Sequence, residues 1–156
     1  MSFLTPVAVW VGSIPWLPRF LPWIVKGDKA IQRLSRNRVA LLDIAGLPNV
    51  TLFVVGRKSG ARRSTRLLCA PTAQGWLIAG SYFGDHRTPA WVFNLRAVDK
   101  AQVGVHGVET DVAVTELDGA AYDAAWQTLE AVWPNFALYK QRTDRKIPVF
   151  ELRRLT

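Results

Sequence analysis

The sequence predicts an α+β domain: an antiparallel sheet or small barrel with helices packed outside it. Three observations carry this. Apolar, β-branched runs follow one another through short, turn-rich links, as antiparallel strands do. Helical segments stand apart from those runs. The strand–helix–strand alternation of a parallel dinucleotide-binding sheet is absent. The chain's 156 residues suffice for one domain, since domains cluster near about 100–150 residues.

Residues 1–27 read as a hydrophobic N-terminal arm, ahead of a domain covering 28–156. The arm holds no charge before Arg19 and carries Trp10, Trp16 and Trp23 among four prolines, Pro6, Pro15, Pro18 and Pro22. A secretory signal needs positive charge ahead of its apolar run. A spanning helix needs roughly 20 clean apolar residues, and the prolines with Arg19 interrupt any such window. Tryptophans followed by basic residues suit the membrane–water interface. An arm packed on the domain or on a partner subunit is the other reading, and both stay open. Residues 28–38 then predict a short basic helix with Asp28 as cap.

Gly46-Leu47-Pro48-Asn49 reads as a turn. Strands are expected over 50–55, 65–70 and 76–79, linked by 56–60 and 72–75. Thr88-Pro89 opens a helix, with Thr88 as N-cap and Pro89 at the first helical position. Trp91, Leu95 and Val98 would form its buried face. Val103/Val105 and Val112/Val114 alternate around His106-Gly107, a hairpin pattern. Asp118 caps a helix with the stripe Tyr122, Trp126, Leu129 and Trp133. Pro134 interrupts it, residues 136–142 make a shorter helix, and 147–152 a closing strand.

The net charge is +8. Up to Arg66 there are 11 Lys and Arg against 2 Asp and Glu; from Leu67 onward there are 9 against 10. The positive excess therefore lies early in the chain, where it would attract phosphates, polyacids, nucleic acid or anionic lipid. The one cysteine, Cys69, excludes an intrachain disulfide and fits a reducing cytoplasm. With His86 and His106 the only histidines, no metal site is expected. No helix-turn-helix, RNA-recognition or zinc pattern supports nucleic-acid binding.

The densest polar cluster is Gly56-Arg57-Lys58-Ser59-Gly60-Ala61-Arg62-Arg63-Ser64. Its glycines allow close backbone approach, and turn N–H groups with Arg side chains make an anion cradle. It is not a Walker loop, since no Gly-Lys-Ser/Thr follows at the required spacing. A solvated basic hairpin explains the same residues. No carboxylate pair or spaced triad suggests acid/base or nucleophilic catalysis, which leaves the chemistry to a cofactor.

Three blocks make this chain resemble the deazaflavin (F420)-dependent nitroreductase-like family of actinobacteria. They are Gly56-Arg57-Lys58-Ser59-Gly60 with Arg62-Arg63 and Thr65-Arg66-Leu67-Leu68; Gly80-Ser81 to Gly84 with Pro89-Ala90-Trp91-Val92-Phe93-Asn94-Leu95-Arg96-Ala97; and Trp133-Pro134-Asn135-Phe136-Ala137-Leu138-Tyr139 with Arg145-Lys146-Ile147-Pro148-Val149. The resemblance implies a split β-barrel, a flavin-binding-like antiparallel barrel with flanking helices. It implies that Arg57, Lys58, Ser59, Gly60, Arg62 and Arg63 hold the phosphate and polyglutamate tail of reduced F420, with FMN the weaker alternative. Leu67, Ser81, Phe83, Gly84, Pro89, Ala90, Trp91 and Asn94 would lie near the deazaflavin. Tyr139 and Ser81 are the implied catalytic donors. Arg66, Tyr82-Phe83, Thr88, Val92 and Phe136 depart from the family pattern on the substrate side.

The expected function is hydride transfer from reduced F420 to an apolar quinone, enone, unsaturated lipid or nitro acceptor. The expected setting is peripheral, at the inner face of the cell membrane, with the chain a monomer or homodimer. A non-catalytic F420 or lipid carrier is the rival reading, followed by a nucleic-acid-binding protein.

Overall fold

The computed structural model describes residues 46–156 and, ahead of them, residues 6, 9, 10, 13–15, 22, 23 and 26. The expected helix over 28–38 and Trp16 lie outside the described residues. The elements run β1 (Asn49–Val55), β2 (Arg62–Leu68), β3 (Ala70–Pro71), β4 (Gly75–Ala79), a 3₁₀ turn (Tyr82–Gly84), α1 (Ala90–Leu95), β5 (Lys100–Val105), β6 (Val108–Glu116), α2 (Gly119–Val132), α3 (Asn135–Arg142) and β7 (Val149–Arg154).

The strands form one sheet in the order β2-β1-β5-β6-β7-β4-β3, every neighbour antiparallel. β2 and β3 lie at opposite edges of that order, yet Cys69 alone separates them in the chain. The two edges must therefore come together at this corner, so the sheet curls into a half-barrel. This is the antiparallel barrel that the sequence predicts.

The alternation on β1 explains the inner core. Val50, Leu52 and Val54 are buried, and the residues between them are not. They pack with Val103, Val112, Phe150 and Leu152 against Trp91, Val92 and Leu95 of α1. A second core covers the outside of the barrel. There Tyr122, Trp126 and Leu129 of α2 join Trp133, Phe136 and Tyr139 over Leu77 and Val149. The expected α2 stripe is thus buried in full. Tyr122 also donates its hydroxyl to the Ile147 carbonyl at 2.9 Å.

Several boundaries differ from expectation. β2 starts at Arg62, three residues early, because the hairpin register continues through Arg62↔Val55 and Arg63↔Val54. The cations therefore extend along an edge strand, where charge discourages further pairing. Pro89, with ψ 144°, is the N-cap of α1, and no side chain caps the helix. Proline fixes φ but leaves ψ free, so Thr88 falls one position outside. Val98 follows the end of α1 and packs on the inner core from beyond it. β7 is shifted to Val149–Arg154 by its pairing with β4 and β6. The β5–β6 turn is as expected: His106 and Gly107 both take positive φ, 48° and 84°, the backbone of a two-residue hairpin turn.

Candidate functional site: a basic cradle joined to an apolar cavity

The link from β1 to β2 closes on itself. Gly56 N–H donates to the Ala61 carbonyl and Gly60 N–H to the Gly56 carbonyl, both at 2.8 Å. Arg57 N–H donates to Asn94 Oδ1 on α1 at 3.1 Å. Ser59 Oγ accepts from Ala61 N–H and from Arg63 Nη2. The result is a hollow of about 390 Å³ bounded by Arg57, Lys58, Ser59, Arg63, Ala90, Trp91 and Asn94. Three cations converge there with exposed loop backbone, a combination suited to anions.

Beside it lies a mainly apolar cavity of about 250 Å³, bounded by Leu67, Leu68, Tyr82, Phe83, Pro89, Trp133, Phe136 and Tyr139, with Ser81 at its wall. Trp91 and Thr65 border both spaces, so cradle and cavity adjoin. Among the expected donors, Ser81 is half-buried and Tyr139 is 2% exposed. Trp133 Nε1 donates to the Tyr139 hydroxyl oxygen at 3.1 Å. Burial pushes the Tyr139 phenol up to about 12, against the lowering effect of its bonds to Trp133 and Asn135. Phe83 and Phe136 meet the Tyr139 ring edge-on, with centroids 5.8 and 5.9 Å apart.

Not every expected site residue is gathered here. Arg62 turns to the other side of β2, where it stacks 3.9 Å from the Phe53 ring centre. It bonds Gln102 Oε1 and Glu109 Oε2. Arg62 and Gly60 border a different hollow of about 490 Å³, beyond the cradle. That hollow is larger, but its arginine is already paired with a carboxylate. Gly84 borders neither space; it is buried behind the wall, against the Tyr139 backbone and Arg142. His86 and His106 are exposed. Trp133 stands in the apolar stripe and in the third block of the resemblance, but its bond to Tyr139 needs the turn at Pro134. Among the described residues no cluster of His, Cys, Asp or Glu could hold a metal ion.

The F420H(2)-dependent quinone reductase family model matches residues 26–153. The chain belongs to this family. It is thus a member of an oxidoreductase family whose reductant is reduced coenzyme F420. A Mycobacterium tuberculosis F420H(2)-dependent quinone reductase is 29% identical over 143 residues, covering 89% of this chain and 96% of the relative. A Mycobacterium bovis protein, described as a putative F420H(2)-dependent quinone reductase, matches equally. Among solved structures, an F420-H2 dependent reductase, FDR-A, superimposes with a TM-score of 0.63 at 30% identity, over 68% of this chain and 94% of that one. A structure described as a domain-swapped dimer gives a TM-score of 0.66 at 26% identity, over 85% and 98%. The haem storage protein HutZ of Vibrio cholerae, at 8% identity and a TM-score of 0.52 over 83% and 90%, shares the fold alone. Family membership supports the F420 and quinone expectations; nitro-compound reduction has no such support.

Proposed function

We propose that this protein reduces an apolar quinone with reduced F420, the cofactor tail lying in the basic cradle and ring and acceptor meeting in the adjoining cavity. The observation that carries this reading is the adjacency of the two spaces, which share Trp91 and Thr65 in their walls. An F420-like molecule is itself anionic at one end and aromatic at the other, so the residues present fit it. Bound reduced F420 supplies a hydride from its deazaflavin ring. Arg57, Lys58 and Arg63 neutralise the tail, and Asn94 holds the loop in shape through Arg57 N–H. Leu67, Phe83 and Phe136 keep water from the reacting faces. Ser81 and Tyr139 face the acceptor oxygen as hydrogen-bond donors. The quinone takes the hydride and one proton and leaves as the hydroquinone. Enones, lipids whose double bond is conjugated to a carbonyl, and nitro compounds are further apolar electrophiles for the same cavity.

The N-terminal residues serve this reaction at a lipid surface. Trp10 and Trp23 are 67% and 71% exposed, and Lys26 Nζ sits 5.2 Å from the Trp23 ring centre. The packed alternative has support too, since Val9 packs on the outer core and its carbonyl accepts from Asn135. We therefore place the arm against both, docked at Val9 and Ser13 and presenting its tryptophans to the headgroup region. No helix among the described residues is long and apolar enough to cross a membrane. A domain-swapped dimer among the similar structures favours a homodimer over a monomer.

The test mixes protein and reduced F420 with menadione and follows the reappearance of the oxidised deazaflavin. Lys58→Ala with Arg63→Ala should weaken F420 about tenfold at low salt, the order expected of two exposed charge contacts. The gap should close as salt rises. FMN, which lacks the polyglutamate tail, should be far less affected, and Arg62→Ala should change F420 affinity little. Tight F420 binding without menadione turnover would make the protein a carrier instead.

A further inference from the structure

We propose that Arg145 is the positioning residue of the cavity wall: its guanidinium holds the turn from Gly80 to Asp85 in the shape that hydride transfer needs. This rests on the reading of that cavity as the reaction site. Arg145 lies between α3 and β7, outside both the cradle and the cavity lining. Its Nε donates to the Asp85 carbonyl at 3.0 Å. Its Nη2 donates to the Gly80 carbonyl at 2.9 Å and to the Ser81 carbonyl at 3.0 Å. Arg142 adds a bond from Nη1 to the Phe83 carbonyl at 3.2 Å. Four carbonyls of one six-residue turn are thus held by two arginines from a neighbouring segment.

The turn needs such holding. Tyr82, Phe83 and Gly84 take positive φ in succession, 47°, 55° and 78°. The left-handed region disfavours residues with a Cβ, and such conformations persist only where surroundings enforce them. The turn's own contribution is small: Gly84 N–H to the Ser81 carbonyl and Asp85 N–H to the Tyr82 carbonyl. The strained residues are also the functional ones, since Ser81, Tyr82 and Phe83 border the cavity. With the carbonyls drawn to the arginines, these side chains make the wall on the other side.

Arg145 is poorly built for plain stabilisation. It is half-buried, desolvation disfavours its charge, and among the described residues its Nη1 is buried without a hydrogen-bond partner. A half-buried charge gives back part of its hydrogen-bond energy as lost hydration. What its planar fork does supply is three bonds of fixed direction, which a lysine cannot reproduce.

The test uses the full chain with Arg145→Ala and Arg145→Lys. Amide hydrogen exchange should quicken at Gly84 and Asp85 in Arg145→Ala while the amides of β1, β5 and β6 stay protected. Menadione turnover should fall about 10–100-fold, the scale of a 1 Å misplacement. F420 affinity should change less than about threefold, because the cradle stands on other elements. Arg145→Lys should fall between, and dilute guanidinium should restore part of the Arg145→Ala activity. It also keeps the test open if Arg145→Ala fails to fold. Wild-type exchange at Gly84 and Asp85, or local quickening with full turnover, overturns the proposal. So does loss of protection throughout the sheet with a lowered Tm, which would make Arg145 a general stabiliser. A wild-type protein inert toward menadione would refute the proposed function, and the exchange comparison alone would then decide the clamp.

Discussion

Tyr139 shows how little of a residue's chemistry lies in its side-chain type. In sequence it is a hydroxyl at the end of an aromatic block, suited to proton donation. In the structure its oxygen accepts from Trp133 Nε1, and burial raises its pKa to about 12. A phenol so held stays neutral at ordinary pH, so in the proposed reaction it would donate a hydrogen bond, with the proton supplied by solvent. Tyr139→Phe should lower menadione turnover about three- to tenfold, the worth of one neutral hydrogen bond of about 1 kcal/mol. F420 affinity should stay near wild type; an unchanged rate would assign Tyr139 to packing. The raised pKa also fixes a sign for stability. The unfolded chain loses this proton near about pH 10, below the folded value. The contribution is therefore complete below pH 10 and is lost as pH rises toward 12. A pH series of Tm on wild type and Tyr139→Phe should show the two curves converging over that window.

At the scale of elements, β2 explains why a continuous run of cations does not act as one patch. Side chains on a strand alternate between faces. Arg63 therefore joins Ser59 and the cradle, while Arg62 crosses to Phe53 and Glu109. The sequence shows four cations within seven positions; only the early start of β2 sorts them. The α2 stripe was easier to read, because helical periodicity reports burial directly. Leu129, at 0% exposure on α2, anchors the outer core beneath the aromatic wall. Leu129→Ala should cost about 2–5 kcal/mol in denaturant unfolding. Leu138→Ala on α3, where the residue is 37% exposed, should stay within about 0.5 kcal/mol. Equal losses would mean that α2 is not the element holding this core.

The whole molecule carries its positive excess before residue 67, on the side of the chain that includes both the cradle and the arm. A positive excess of this kind favours anionic ligands in general, and an anionic lipid surface is the one to test on the N-terminal residues. The arm's attachment to α3, through Asn135 to Val9 and Arg142 to Ser13, brings any surface it binds close to the cavity wall. Full-length protein should sediment with anionic vesicles and be released by high salt. Trp10→Ala with Trp23→Ala should weaken that binding about tenfold, as apolar area is no longer withdrawn from water. Wild-type protein that ignores anionic vesicles would leave the arm as a packing element only.

Sequence by itself determined the strand and helix types, the antiparallel class, the β5–β6 turn, the α2 stripe and the family resemblance. These follow from local periodicity, turn chemistry and short motifs, which a linear chain displays openly. Only the tertiary structure decided that the two sheet edges meet at Cys69, and that Arg62 leaves the cradle. It alone brought Trp133 to Tyr139 and set Arg145 behind a strained turn. Each of these joins residues through the curl of the sheet or the packing of α3. Such contacts depend on the register and direction in which elements pack, even where the residues are close in the chain, as Trp133 and Tyr139 are, and no local pattern encodes that.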